Sequence, residues 1–253
     1  MFLIPLQFIK FVRKYNFMRE KSVFLYQTYS NNTMAKKQKK EVKYDEADLI
    51  NLFNLTRLVG NDQHPLMIEW TTVNDKTLTT IEQGIFDMIL ADAAQEIEGW
   101  NEEELKMKFL SFIVVLGHLR GNKEYKTYYE RELYTTIDNH YLYLKADFMI
   151  AKGVFNKPST PYFYFQEYKK SKDPSGDPVP QLIEGFLIAQ DKNKNGKPMY
   201  GCTVTGKIWD FFIMEDKTYC ISQSYDCMKP EELLQIIAIL RKFKEILETR
   251  LLD

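Results

Sequence analysis

Residues 162–169 read Tyr-Phe-Tyr-Phe-Gln-Glu-Tyr-Lys, an apolar run that ends by presenting Glu167 and Lys169. In an extended strand side chains alternate between faces, so these two project from one side, about 7 Å apart at ~3.4 Å per residue. A charged pair where the pattern calls for burial is costly unless something compensates it. A metal ion together with a further acid is one such compensation, and perturbed charges of this kind concentrate at functional sites. The same part of the chain carries Lys145-Ala146-Asp147-Phe148-Met149-Ile150 before the pair and Pro180-Gln181-Leu182-Ile183-Glu184-Gly185 after it.

The elements that must position these residues are legible as changes of hydrophobic period. Tyr44 to Phe53 opens an amphipathic helix, and further helices are expected over about Thr77–Glu98 and, after an Asn101 cap, over about Glu102–Leu119. From Leu133 the period changes. Tyr134–Ile137, His140–Ile150 and Tyr162–Tyr168 read as strands, with Asp138-Asn139 as a turn. Val179–Gln190 reads as a helix, Tyr200–Thr205 and Lys207–Met214 as strands, and Lys217–Ser222 closes a hairpin through Glu215-Asp216. A last helix begins near Pro230, with Leu233, Ile236, Ile237, Leu240, Phe243 and Leu247 as its apolar stripe.

Two motif-like stretches do not survive inspection. Asp191-Lys-Asn193-Lys-Asn195-Gly196 matches the front of an EF-hand loop, but the position that must supply a bidentate carboxylate is Cys202, so a polar turn is expected. Gly201 to Lys207 has the spacing of a phosphate-binding loop, but Ile208 replaces the hydroxyl that holds Mg²⁺ and a strand follows where a helix is required. His64, His118 and His140 fall on different elements, and no nucleophile elbow is present.

Asp147, Glu167-Tyr168-Lys169 and Gln181, in that order of elements, resemble the PD-(D/E)XK nuclease superfamily, and in particular a restriction-endonuclease-like family of bacterial proteins. The resemblance covers about Asn101 to Ser222. The superfamily core is a helix, three antiparallel strands, a helix and a further strand. The resemblance therefore implies an α/β (α+β) fold, an αβββαβ core with a central mixed sheet flanked by helices, extra N-terminal helices and a C-terminal helix. The strand acid falls on Asp147, with Ala146 in place of the proline of the name, and the (D/E)xK element on Glu167 and Lys169. The glutamine that many members carry on the next helix falls on Gln181. The first-helix glutamate of some members falls on Glu104 or Glu103. The plain structural alternative is a strand end at Asp147, a salt bridge between Glu167 and Lys169, and a helix cap at Gln181.

The resemblance implies phosphodiester hydrolysis of nucleic acid, DNA before RNA, with Mg²⁺ or Mn²⁺ held by Asp147, Glu167 and Glu104. A hard divalent cation supplies a hydroxide near neutral pH and relieves charge on the phosphate. Lys169 would position or help deprotonate the attacking water, and Gln181 would orient Lys169 or the water. Arg131, just before the first strand, is either a phosphate contact or an ordinary surface arginine. Many members dimerise, so a homodimer is a further implication. The alternative from another class is an inactive nuclease-fold protein that binds nucleic acid or a protein partner.

The 253 residues suit one domain with appendages, and 45% hydrophobic with 27% charged residues is the mixture of a globular protein. A net charge of -1 excludes a polybasic or histone-like binder. Three cysteines without a Cys-x-x-Cys pair suggest neither a disulfide framework nor a zinc site, which fits a reducing cytoplasm. No apolar run spans a bilayer. Residues 1–33 carry eight aromatics and a net charge of +4, in an order opposite to that of a signal peptide. They are expected to be a non-core extension ahead of a natural start at Met34, the rival being an amphipathic membrane anchor. Residues 34–100 are expected to form a helical part, and residues 101–253 the nuclease-like core with its C-terminal helix.

Overall fold

The computed structural model describes residues 43–59, 64–170 and 177–252. The expectations for residues 1–33 and for a start at Met34 lie outside the described residues.

The chain enters through α1 (Glu46–Phe53), whose Asp45 cap accepts from Asp48 N while the Asp48 carboxylate accepts from Asp45 N. A short strand β1 (Thr56–Leu58) leads to α2 (Pro65–Thr71) and α3 (Thr80–Glu96). The expected helix after Asn101 is one helical run in three pieces: α4 (Glu102–Leu105), a π-helical turn (Lys106–Leu110) and α5 (Ser111–Leu116).

The strands β2 (Lys126–Ile137), β3 (His140–Val154) and β4 (Lys157–Lys169) form an antiparallel meander. The β2–β3 turn is Asp138-Asn139 with φ of 48° and 68°, the left-handed pair that a tight hairpin needs and that Asn and Asp tolerate. Helix α6 (Pro178–Asn193) then carries the chain across to β5 (Met199–Thr205), which pairs parallel with β4. Strands β6 (Ile208–Glu215), β7 (Thr218–Ile221) and the short β8 (Tyr225–Asp226) complete the sheet. Helix α7 (Pro230–Ile246) closes the chain and runs into a π-helical turn (Leu247–Leu251).

The result is an α/β protein with a mixed eight-stranded sheet, ordered β1-β7-β6-β5-β4-β3-β2 with β8 on β6. Helices cover both faces. One core joins Trp70 of α2, Phe86 of α3, Phe109 and Phe243 to Tyr164, Tyr200 and Phe211 of the sheet. The other joins Leu49 of α1 and Leu182, Ile183 and Phe186 of α6 to Leu144, Phe165 and Phe212. The described residues between 43 and 100 therefore pack into the same unit as those that follow, and they are not wholly helical, because β1 pairs parallel with β7. Among the described residues no helix is long and apolar enough to cross a membrane.

The residues of the failed motifs are employed elsewhere. Asn193 clasps the backbone of Tyr162, accepting from its N–H at 2.8 Å and donating to its carbonyl at 2.7 Å, and Asp191 accepts from Thr135 Oγ. Gly201 is a β5 residue required by packing: a Cβ there would lie 2.6 Å from the Phe165 carbonyl oxygen and 2.9 Å from the Phe186 ring. Gly201→Ala is expected to destabilise the protein by about 2 kcal/mol, the cost of overpacking a full core. Chemical denaturation checks this, and an unchanged midpoint would contradict the close approach.

Strand alternation departs from expectation in two places. Regular alternation would put Phe163 on the face of Phe165 and Glu167, with Tyr162 opposite. Instead the β3–β4 register shifts between Ile150↔Tyr164 and Ala151↔Tyr162, which leaves Phe163 as the extra residue of a bulge. Phe163 and Tyr164 consequently pack in one core and Tyr162 and Phe165 in the other. The second departure lies at Asp147. Leu142, Leu144 and Ala146 share a core with Met149 and Ala151, whereas Phe148 and Ile150 belong to the opposite one. Its cross-strand neighbour Glu130 has a φ of 53°, and the two are missing from an otherwise continuous β2–β3 ladder.

Candidate active site

The β3–β4 ladder runs only as far as Phe148↔Gln166, while β4 stays paired with β5 to Lys169↔Thr205. Beyond that point the two strands part, and Asp147 bridges the opening. Its Oδ2 accepts from the backbone N–H of Tyr168 at 2.8 Å, satisfying a donor that the ladder no longer serves. Its Oδ1 accepts from Lys106 Nζ at 2.9 Å.

Lys106 lies at the centre of a carboxylate cluster. Its ammonium is 2.7 Å from Glu102 Oε1, 2.7 Å from Glu130 Oε1, 2.9 Å from Asp147 Oδ1 and 4.0 Å from Glu103 Oε1. Lys145 holds the other Glu130 oxygen at 2.5 Å. Burial works to lower the Lys106 pKa, but the bonds to Glu102, Glu130 and Asp147 outweigh it and hold the ammonium well above its ordinary range. For Glu130, burial is likewise outweighed by Lys106 and Lys145, which bring its carboxyl down to about 2. Asp147 moves the other way, because burial outweighs the Tyr168 N–H and Lys106 and raises its pKa.

Glu167 is 1% exposed and its Oε1 has no hydrogen-bond partner. Burial first, and the nearby Asp147 carboxylate second, push its pKa well above the ordinary value, with Lys169 opposing them. Two rows run across the sheet on this face. The β4–β5–β6 register sets Glu167 beside Thr203 and Thr203 beside Asp210, and sets Lys169 beside Thr205. Burial raises the Asp210 pKa too, against a hydrogen bond donated by Ser224 at 2.6 Å.

Helix α6 covers this face. Gly185 rests on the sheet, since a Cβ there would be 2.8 Å from Leu144 Cδ2 and 3.6 Å from the Phe165 ring. Gln181 is one turn nearer the N-terminus on the same stripe, and Glu167 is two residues beyond Phe165 on the same strand face. Gln181 is half-buried there and does not cap the helix, a role taken by Asp177, whose side chain accepts from Val179 N.

The opposite side of β4 holds a buried polar chain in which Tyr168 donates to Gln166 Oε1 and Gln166 Nε2 donates to Tyr164 Oη at 2.9 Å. Cys202 lies against it, its thiol pushed up by burial.

Of the residues singled out in the sequence, Asp147, Glu167 and Lys169 come together at the parting of β3 and β4, and Gln181 lies on the helix above them. Glu104 does not join them. Its Oε2 accepts from Asn101 N at 3.0 Å and its Oε1 faces Lys108 at 3.4 Å, the reciprocal half of a helix-capping box. Glu103 lines the cavity beside Asp147 instead. Arg131 lies on β2 opposite Ala146, with its Nε buried and unpartnered. Sequence reasoning missed Lys106 and Glu130. The Glu102–Lys106 spacing on a helix was a readable signal for the first, whereas a glutamate in a left-handed kink within a strand leaves no signal.

Among the described residues, no three His, Cys, Asp or Glu side chains come together as a set able to hold a metal ion. No protein-family model and no curated protein matches the chain.

Proposed function

We propose that this protein is a metal-dependent nuclease of the PD-(D/E)XK type, hydrolysing phosphodiester bonds in nucleic acid, DNA before RNA. The observation that carries the reading is Glu167: a fully buried carboxylate with an unpartnered oxygen, beside Asp147 and opposed by Lys169. The order around it supports the reading, because a helical run, three antiparallel strands, a helix and a parallel strand succeed one another from Glu102 to Thr205.

The residues fit a hard cation. Asp147 and Glu167 offer oxygen donors only, and Mg²⁺ takes one or two protein carboxylates and completes its shell with water and phosphate oxygens. Two carboxylates therefore suffice without Glu104. Such an ion, when bound, supplies a hydroxide near neutral pH and draws charge from the phosphate. The chain's own residues do the rest. Glu167 must give up its proton to ligate, and the Lys169 ammonium favours that ionisation. Lys169 also donates to the attacking water or a phosphate oxygen and opposes the negative charge that grows in the transition state. Gln181, on the stripe above Glu167, holds the water or Lys169 in line.

Purified protein should be incubated with supercoiled plasmid, single-stranded DNA and RNA, with Mg²⁺, with Mn²⁺ and with EDTA. Metal-dependent cleavage that Lys169→Ala abolishes while nucleic-acid binding persists is the expected result. No cleavage of any substrate would overturn the catalytic reading. A second reading, a non-catalytic relative that binds nucleic acid or protein, draws on one observation: the Lys106 ammonium already neutralises Asp147. That protein would bind and show no turnover for Lys169→Ala to remove.

A further inference from the structure

On the side of Asp147 away from α6, the helical run 102–116 and strands β2, β3 and β4 enclose a cavity of about 320 Å³. Its walls are apolar, formed by Leu110, Val114 and the Tyr168 ring, and Met107 and Tyr129 stand at its rim. Both rim residues are unusually open for their type, Met107 69% and Tyr129 50% exposed. The Tyr129 ring is nonetheless held, edge-on to Phe148 with centroids 5.3 Å apart. The polar lining is different in kind: Glu103, Glu130 and Asp147 against the one lining ammonium, Lys106, with Lys145 outside the lining on the other oxygen of Glu130. Carboxylates outnumber the cation, and carboxylate oxygens only accept hydrogen bonds.

We infer that this cavity receives an unpaired nucleobase with an amino group at pyrimidine C4 or purine C6, cytosine or adenine, where thymine and guanine carry a carbonyl oxygen, from the nucleic acid bound at the adjoining Asp147–Glu167 centre. The inference rests on the nuclease reading for the class of ligand. The apolar walls and exposed Tyr129 suit a flat ring, which stacks on aromatic side chains without regard to sequence. The lining carboxylates select within that class. Asp and Glu accept from the cytosine N4 amino group, and the adenine N6 amino group is the same kind of donor. Thymine presents a carbonyl oxygen in the corresponding place, where the cavity-lining ammonium able to meet it, Lys106, is already shared among Glu102, Glu130 and Asp147. A base enters only when it is out of its stack, so strands with unpaired positions are preferred over continuous duplex.

The test is binding without catalysis. Fluorescein-labelled oligo(dC), oligo(dA), oligo(dT) and a duplex are titrated with the full chain in EDTA and read by polarisation. Oligo(dC) and oligo(dA) are expected to bind roughly tenfold tighter than oligo(dT), one hydrogen-bonded base contact being worth about that factor. Tyr129→Ala is expected to weaken oligo(dC) binding by about tenfold, and Tyr129→Phe to retain it. Ser111→Trp, an exposed cavity-lining position, is expected to block the base with the melting temperature unchanged, which keeps the test decisive if Tyr129→Ala fails to fold. Equal affinity for oligo(dC) and oligo(dT), or full binding by Ser111→Trp, would overturn the inference. Either result alongside metal-dependent cleavage leaves the nuclease reading intact, and base-selective binding without cleavage overturns the nuclease reading alone.

Discussion

Lys106→Met is expected to destabilise the protein by about 3 kcal/mol near neutral pH, the lower end of the cost of stripping one partner from a buried ion pair. The lower end applies because the Lys106 side chain keeps 16% of its exposure. Methionine matches the stem of lysine, so the loss is electrostatic: Glu102, Glu130 and Asp147 would face one another with only Lys145 nearby. The pH dependence has a definite sign. Glu130, held down to about 2 in the intact protein, contributes stability above its unfolded pKa that is lost as pH falls towards about 2. The variant lacks the Lys106 share of that contribution, Lys145 supplying the rest, so its deficit is greatest near neutral pH and shrinks as pH falls through the ordinary carboxyl value of 4.5. Urea denaturation across that range checks both points. A deficit under about 1 kcal/mol, or one that grows on acidification, would mean that the cluster is no more than a surface ion pair.

Glu167→Gln is expected to lose at least about a hundredfold in metal-dependent cleavage and, without metal, to be more stable than the parent. The two effects have one origin. The Glu167 pKa is raised by burial and by Asp147, so its neutral form suits the fold and its ionised form suits a cation. A raised folded pKa contributes stability that is fully present below the unfolded value, ordinarily 4.5, and is lost as pH rises through the folded value. Glutamine, neutral throughout, has nothing to lose. The melting temperatures should therefore lie close together in acid and separate upward of it, with the variant higher, and Mg²⁺ should raise only the parent. A variant less stable than the parent at neutral pH would show that Lys169 and the Asp147 backbone N–H hold the ionised carboxylate more strongly than burial and the Asp147 carboxylate oppose it.

The parts of this site that the sequence discloses are those that obey a period. The apolar run at 162–169 places Glu167 and Lys169 on one face, and the register through Phe165 retains that relation because the bulge lies upstream at Phe163. The order of elements is legible for the same reason, whereas Asp147 and Gln181 are picked out only by the resemblance, through their place in that order. What the sequence conceals is produced by broken periods. The bulge exchanges Tyr162 and Phe163 between cores, and the kink at Glu130 and Asp147 turns their side chains towards Lys106. Both depend on long-range pairing that no local pattern encodes. The choice between Glu103 and Glu104 is a different case. Asn101 with Glu104 three residues on is itself a capping-box signature, and it commits the Glu104 side chain to the helix end.

Asp147 has two jobs that pull an inactivating substitution in different directions. One oxygen belongs to the candidate chemistry and to Lys106, and the other terminates a backbone ladder by holding the Tyr168 N–H. Alanine would remove both, so an inert Asp147→Ala protein could owe its silence to a sheet that has come unzipped. Asparagine retains an acceptor for the Tyr168 amide and deletes only the charge. The contrast between the two substitutions, more than either alone, distinguishes a residue that reacts from a residue that keeps two strands at the right distance for others to react.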